Sequence, residues 1–407
     1  MYKLLLSFAL TGILFSCGTS QQSQAGSAAG TLPPVETQAP NSPQYKPAFA
    51  GQTRIAGIKT QTPLDVQVLS TDLKRPWAVV AMPDGRLLIT EKGGTFRIAT
   101  TAGTVSEPIT GAPKVDDAGQ GGLLDVALDP DFKSNRMIYW AFSEPVEGGN
   151  HTAVAKGRLA NDEKTIENAT VIYRAMPTYK GRLHYGSRLA FDKEGYLFVT
   201  TGERSDMAMR PKAQDLNAAV GKVLRITKDG KAAPGNPFAN TPGALPEIWS
   251  LGHRTPQGLD FHPATGELWE SEMGPRGGDE INLIKPGKNY GWPTITYGIE
   301  YSGKTIGEGI TQKAGMEQPV YYWDPVQSPS GITFYNGKLI PEWKNNLFVG
   351  GLSSKHIARL VIVNNKVVAE ERLLGDQNQR FRDVGQGLDG ALYAVTDEGR
   401  LYRIAAK

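Results

Sequence analysis

The chain has 407 residues, 47 of them glycine and 27 proline, with a formal net charge of +3 and a single cysteine. A near-balanced charge with no extended basic tract excludes nucleic acid as a partner and excludes a basic membrane-binding face. One cysteine excludes an intrachain disulfide, and so many turn-forming residues exclude a fold of long helices.

In chain order, "MYKLLLSFALTGILFSC" comes first: Lys3, an apolar run too short to span a bilayer comfortably, then a small residue before Cys17. That is the layout of an export signal. Its end, "LFSC", resembles a bacterial lipoprotein signal, which implies removal of residues 1–16 and lipid attachment at Cys17. The implied location is periplasmic or at the cell surface, with the membrane touched only through that anchor. Residues 17–60 are rich in Ser, Gln, Ala, Gly and Pro and read as a disordered tether, because they carry too little apolar surface to offset their ordering entropy. Residues 61–407 read as one folded domain.

From Leu64 onward one unit recurs: an apolar strand, a turn with Asp, Gly or Pro, and a second apolar strand. The clearest copies are "WAVVAMPDGRLLITE", "LLDVALDPDFKSNRMIYWAFS", "SRLAFDKEGYLFVTTGE", "QGLDFHPATGELWESEMG", "SGITFYNGKLIPEWKNNLFVGG" and "RDVGQGLDGALYAVTDEG". Six such hairpins at this spacing predict an all-β fold, a six-bladed β-propeller. "GTFRI", "GKVLRI", "HIARLVIV" and "GRLYRI" are expected to complete the outer parts of several blades. The two widest gaps, around residues 145–180 and 205–250, are expected to be rim loops.

A propeller places its site at one mouth of the central channel, where turns and inner strands converge. Polar residues do gather at the edges of the repeats. Gln120 lies among glycines before the second repeat, and His184 lies before the third, which Glu203 closes as a carboxylate able to orient an imidazole. "GHRTPQG" then crowds His253, Arg254, Thr255 and Gln257 at a strand entry. "GPRGGDEINLIKPGKNYGWP", residues 274–293, surrounds two adjacent carboxylates with Gly and Pro, which suits either paired turns or carbonyls aimed at a cation. Arg380 and Arg382, two apart in an extended segment, face the same way and can reach one anion.

Together "GQGGLLDVALDPDF", "LGHRTPQGLDF", "SEMGPRGGDEINLIKPGKNYGWP" and "QRFRDV" resemble the soluble quinoprotein aldose (glucose/sorbosone) dehydrogenases, from about residue 64 to the C-terminus. The resemblance implies pyrroloquinoline quinone (PQQ) and calcium as cofactors, an aldose as substrate, a lactone as product and an external electron acceptor. It implies His184 as the general base, Glu203 as its partner, and Arg254 as the group that stabilises charge on the quinone. Gln120, Thr255, Arg380 and Arg382 match positions that contact PQQ. Carbonyls of Gly274 and Pro275 match ligands of the calcium on PQQ, and Glu280 and Tyr290 match a second, structural calcium. Where some members carry a PQQ-binding lysine this chain has Ser353, with Lys355 two residues on. Two other readings stay open on the residues alone: a calcium-dependent sugar lactonase, and a non-catalytic propeller that binds without reacting.

Overall fold

The computed structural model describes Met1 and residues 30–407; the rest of the segment read above as an export signal, with Cys17, lies outside the described residues. Six sheets form the domain. Blade 1 holds Pro76–Ala81, Leu87–Glu91 and Thr95–Ala99. Blade 2 holds Leu123–Leu128, Met137–Val146, Gly149–Leu159 and Ile166–Arg174. Blade 3 holds Gly186–Phe191, Leu197–Thr201, Lys222–Ile226 and Ile248–Leu251. Blade 4 holds Pro256–Phe261, Leu268–Glu272, Asp279–Ile284 and Tyr321–Trp323. Blade 5 holds Pro329–Phe334, Leu347–Gly351, Ile357–Val363 and Lys366–Leu373. Blade 6 holds Phe381–Gln386, Leu392–Thr396 and Leu401–Ala406, and its outer strand is Leu64–Ser70 from the other end of the chain. That last pairing, antiparallel from Leu64 against Ala406, closes the ring.

Each expected hairpin is the first and second strand of one blade. The inner strands run side by side around the channel, the first against both the second and the sixth. Apolar side chains fill the wedges between blades. Trp77, Phe96, Trp140 and Phe142 pack between blades 1 and 2, and Tyr335, Trp343, Phe348, Phe381 and Tyr402 between blades 5 and 6. Burying each such ring contributes roughly 1.5–3 kcal/mol. Along the channel, buried carboxylates latch one inner strand to the next. Asp125 accepts from the Leu189 N–H at 2.7 Å, Asp260 from that of Phe334 at 2.8 Å, and Asp383 from that of Val79 at 2.8 Å. Arg188 lies over the Trp77 ring at 4.1 Å and bridges Asp125 and Asp383 at 3.2 and 3.0 Å.

Two expectations are corrected. The gap at 145–180 is mostly sheet, since Gly149–Leu159 and Ile166–Arg174 are the outer half of blade 2. The outermost strand of that pair is largely exposed and carries polar residues, so the apolar signal of the inner strands is missing from it. The gap at 205–250 is mainly loop, apart from Lys222–Ile226 and Ile248–Leu251. The tether reading fails for residues 30–60, which lie against blades 4 and 5. Gln52 is fully buried and donates to the Pro319 carbonyl at 2.9 Å. The backbone N–H groups of Asn41 and Ser42 donate to the two oxygens of Asp324, and Thr60 donates to Glu371 through both N–H and hydroxyl. The segment has no core of its own, yet its polar groups find acceptors on the propeller rim, which composition does not reveal.

Candidate active site at the channel mouth

The inner strands all begin at the same mouth, so the residues just before them form one ring there. The turns that follow each second strand form another ring around it. Between them lies a cavity of about 520 Å³ lined by Arg75, Trp77, Lys92, Gln120, Tyr185, Gln257, Met273, Tyr301, Ser353, Arg380, Arg382 and Asp397, among others.

His184 enters from the first ring and Glu203 from the second. The imidazole Nδ1 lies 2.7 Å from Glu203 Oε1, and both side chains are buried. The other carboxylate oxygen of Glu203 accepts from the Ser205 N–H at 3.0 Å, so the acid is fixed at both oxygens. No protein group bonds the imidazole Nε2 among the described residues. The loop presenting His184 is braced from two sides. The His184 N–H donates to Gln120 Oε1 at 2.8 Å. Arg204 lies over the Tyr185 ring at 4.1 Å and donates to the carbonyls of Gly181 and Leu183 at 2.5 and 3.1 Å. Burial and the nearby Arg254 guanidinium lower His184 to about 4, against the opposing pull of Glu203. The ring is therefore neutral near pH 7, as a base must be.

Arg254 is buried, lies 5.3 Å from the Trp292 ring, and donates to the carbonyls of Met273 and Gly274 at 3.0 and 2.7 Å; its Nε has no partner. Thr255 beside it is buried, and its hydroxyl accepts from Gln257 at 3.3 Å. Arg380 and Arg382 do face one way: both Nε groups donate to Asp397, at 2.8 Å each. Ser353 lines the cavity and bonds the Ser328 hydroxyl at 2.8 Å. Lys355 does not join it. Its backbone turns at φ 56°, and its ammonium donates to Asn378 at 2.9 Å.

Four cations and one carboxylate line the cavity, an excess of three positive charges. That excess and the flanking Trp77 and Tyr185 rings fit a flat tricarboxylate such as PQQ. Gly274 and Pro275 stand at the edge of this mouth. The Gly274 N–H is held by Asp279 Oδ1 at 2.8 Å, and the other oxygen of Asp279 accepts the N–H groups of Gln327 and Ser328 at 2.7 Å each. The Gly274 carbonyl is shared with Arg254 and keeps a second lone pair, so the pair of carbonyls fits a hard cation. Glu280 and Tyr290 also come together, on a second cavity of about 10 Å³ that Thr296 and the Gly274–Pro275 pair share. Burial and Glu272 push Glu280 well above the usual carboxylate range, which is the environment a divalent cation relieves. Next to it His253, Glu270 and Glu272 offer ligand atoms within 4.8 Å of one another, and His253 stacks on the Tyr290 ring at 4.8 Å.

Of the residues singled out in the sequence, Gln120, Gln257, Ser353, Arg380 and Arg382 line the large cavity, and Arg254, Gly274, Pro275, Glu280 and Tyr290 line the small one. His184 and Glu203 pack beside Tyr185 and Gly186, and Lys355 turns away. Asp397, Lys92, Arg75 and Arg204 were not singled out, and Asp279 was seen only as one of the two adjacent carboxylates. A signal for two of these was present: aligned on their second strands, Glu203, Asp397 and Lys92 occupy nearly the same place in blades 3, 6 and 1.

The fold and this mouth define a propeller enzyme with a buried imidazole–carboxylate pair beside an anion-binding cavity. Residues 73–403 match the family model described as Glucose / Sorbosone dehydrogenase, and the chain belongs to that family. It is similar to the aldose sugar dehydrogenase YliI of Escherichia coli, with 44% identity covering 84% of this chain and 93% of that protein. It is 30% identical to quinoprotein glucose dehydrogenase B of Acinetobacter calcoaceticus, covering 82% of this chain and 85% of that one. Among solved structures, the PQQ-bound aldose sugar dehydrogenase of Streptomyces coelicolor superposes with a TM-score of 0.69 at 29% identity, covering 85% of this chain and 99% of that one.

Proposed function

We propose that this protein oxidises the anomeric hydroxyl of aldose sugars to lactones, with PQQ as hydride acceptor and calcium as Lewis acid, and passes the electrons to an external acceptor. The observation that carries this reading is the buried His184–Glu203 pair next to Tyr185 and Gly186, which line a mouth with an excess of three positive charges. His184 Nε2 takes the proton of the anomeric hydroxyl. Glu203 holds the Nδ1–H, keeps Nε2 as the acceptor and steadies the imidazolium that forms. Arg254 directs fixed positive charge into the mouth, where its planar fork is already oriented by the Met273 and Gly274 carbonyls. Arg380 and Arg382 would hold carboxylates of PQQ, and the carbonyls of Gly274 and Pro275 would hold calcium. When bound, these groups supply a quinone that accepts hydride and a cation that polarises it. The PQQ-bound relative from Streptomyces coelicolor supports the cofactor assignment.

A sugar lactonase would need carboxylates converging in the mouth. The carboxylate that lines it, Asp397, is engaged by two arginines. The test is dye reduction by the purified chain with a panel of aldoses, with and without PQQ and calcium. Activity is expected only when both are added. Absence of dye reduction with every sugar, or lactone hydrolysis with calcium alone, removes the reading. The signal-like layout of residues 1–16 and the place of Cys17 support a lipid-anchored protein outside the cytoplasm, which the mass of the mature N-terminus checks.

A further inference from the structure

The four cations that line the mouth are not equally accounted for. Arg380 and Arg382 share Asp397, and Arg75 pairs with Asp117 outside the cavity. Lys92 has no carboxylate partner among the described residues: its ammonium donates to the Gly119 carbonyl at 3.0 Å. Its backbone is nonetheless tightly fixed. The Lys92 N–H donates to the Arg75 carbonyl at 3.1 Å, and its own carbonyl accepts from Leu123 at 3.0 Å, across the junction of blades 1 and 2. There is also no room for a bulkier neighbour, since a Cβ on Gly122 would lie 2.5 Å from the Lys92 carbonyl oxygen. A half-buried ammonium is thus held at a defined point of the mouth, beside the Gln120 that braces His184. Burial, with Arg382 and then Arg75 nearby, lowers it to about 8, so it remains charged near neutral pH.

The repeat explains why this position matters. Lys92 follows the second strand of blade 1 as Ser353 follows that of blade 5, and Arg380 and Arg382 stand between them on blade 6. The resemblance drawn from the sequence implies a cofactor-binding lysine in some relatives at the place of Ser353. Here that cation is absent from one flank of the arginine pair and present on the other. Both flanks face the same cavity, and Lys355 is turned away from it toward Asn378.

We propose that Lys92 binds a carboxylate of the cofactor and supplies from blade 1 the positive charge that Ser353 does not supply from blade 5. The proposal rests on the PQQ reading above, and the experiment separates the two. The full chain is equilibrated with PQQ and calcium by dialysis and bound PQQ is read from its absorbance. Lys92→Met is expected to raise the Kd about 10- to 100-fold, the loss appropriate to a charge-assisted hydrogen bond, with Lys92→Arg within about threefold. Ser353→Lys placed in the Lys92→Met chain is expected to recover about tenfold or more, which a merely structural lysine would not allow. Lys355→Met is expected to bind as the unaltered chain does. If Lys92→Met binds PQQ within about twofold of the unaltered chain, or Ser353→Lys recovers nothing, the assignment of Lys92 is overturned while the function stands. If the unaltered chain binds no PQQ, both fall.

Discussion

His184 adopts φ 48°, a left-handed conformation that residues with a Cβ seldom occupy. It is held there by Gln120, by the Glu203 pair and by the Arg204 clamp on the preceding carbonyls. A base fixed in this way contributes through its chemistry as well as its place. His184→Ala in the PQQ-loaded protein is expected to lower turnover by about 10²- to 10⁴-fold with little change in PQQ affinity. Turnover within about threefold of the unaltered protein would sink the base assignment. The pH profile tests the environment. Because burial and Arg254 lower the ring to about 4, protonation removes the base only at low pH, and the acid limb of kcat/KM is expected well below 6.5. Glu203 acts in the opposite sense, since both its hydrogen bond and its charge raise the imidazole. Glu203→Gln is therefore expected to move the acid limb to still lower pH while slowing turnover about 10-fold or more, through loss of the negative charge that steadies the imidazolium. A limb that moves upward would refute the electrostatic account.

Asp279 shows how an element, rather than a residue, positions the mouth. It begins the third strand of blade 4, and its buried carboxylate takes three backbone N–H groups from two blades: Gly274 on its own blade, Gln327 and Ser328 at the entry to blade 5. Asp279→Ala leaves those donors unpaired and is expected to cost about 3 kcal/mol or more, read from the denaturant midpoint at unchanged slope. It is also expected to weaken calcium-dependent PQQ binding, since the Gly274 carbonyl loses its fixed direction; full stability and full binding together would exclude the latch. In the sequence Asp279 was visible only as half of an adjacent acidic pair. The six inner hairpins were legible because each alternates or runs apolar between strong turn residues. The outer half of blade 2 was not, because the strand Ile166–Arg174 faces solvent and carries Glu, Asn and Thr where an inner strand carries Leu and Val. Site residues adjacent to inner strands could be read from their neighbours in sequence. Asp397 and Lys92 were legible only by superposing the repeats: Asp397 meets Arg380 and Arg382 from the neighbouring strand of its own blade, and Lys92 reaches the Gly119 carbonyl before blade 2.

At the scale of the molecule, two stretches near the N-terminal side act on the finished ring. Leu64–Ser70 completes blade 6 against Leu401–Ala406 and so joins the two ends of the chain. Residues 30–60 then cross the outer edges of blades 4 and 5. Gly57 bridges Glu370 on the edge strand of blade 5, Glu36 pairs with Arg372 at 2.7 Å, and Arg54 donates to the Asp324 carbonyl at 2.7 Å. Asp324 also sets the space around Gly277, where a Cβ would lie 2.6 Å from its carboxylate, so this strap ends its reach beside the loop that carries Gly274 and Pro275. The strap adds contacts to a ring that is already closed without it. A chain beginning at residue 61 is therefore expected to fold and to bind PQQ, with a melting temperature lower by about 5–10 °C, a shift equal to a few kcal/mol in a domain of this size. The loss should be concentrated at one place. Hydrogen exchange is expected to rise in Tyr321–Trp323 and Lys366–Leu373, which the strap covers, and to stay unchanged in Leu64–Ser70 and its partner. Uniform loss of protection around all six blades would mean that the strap is part of ring closure, and the division of labour between the two stretches would have to be abandoned.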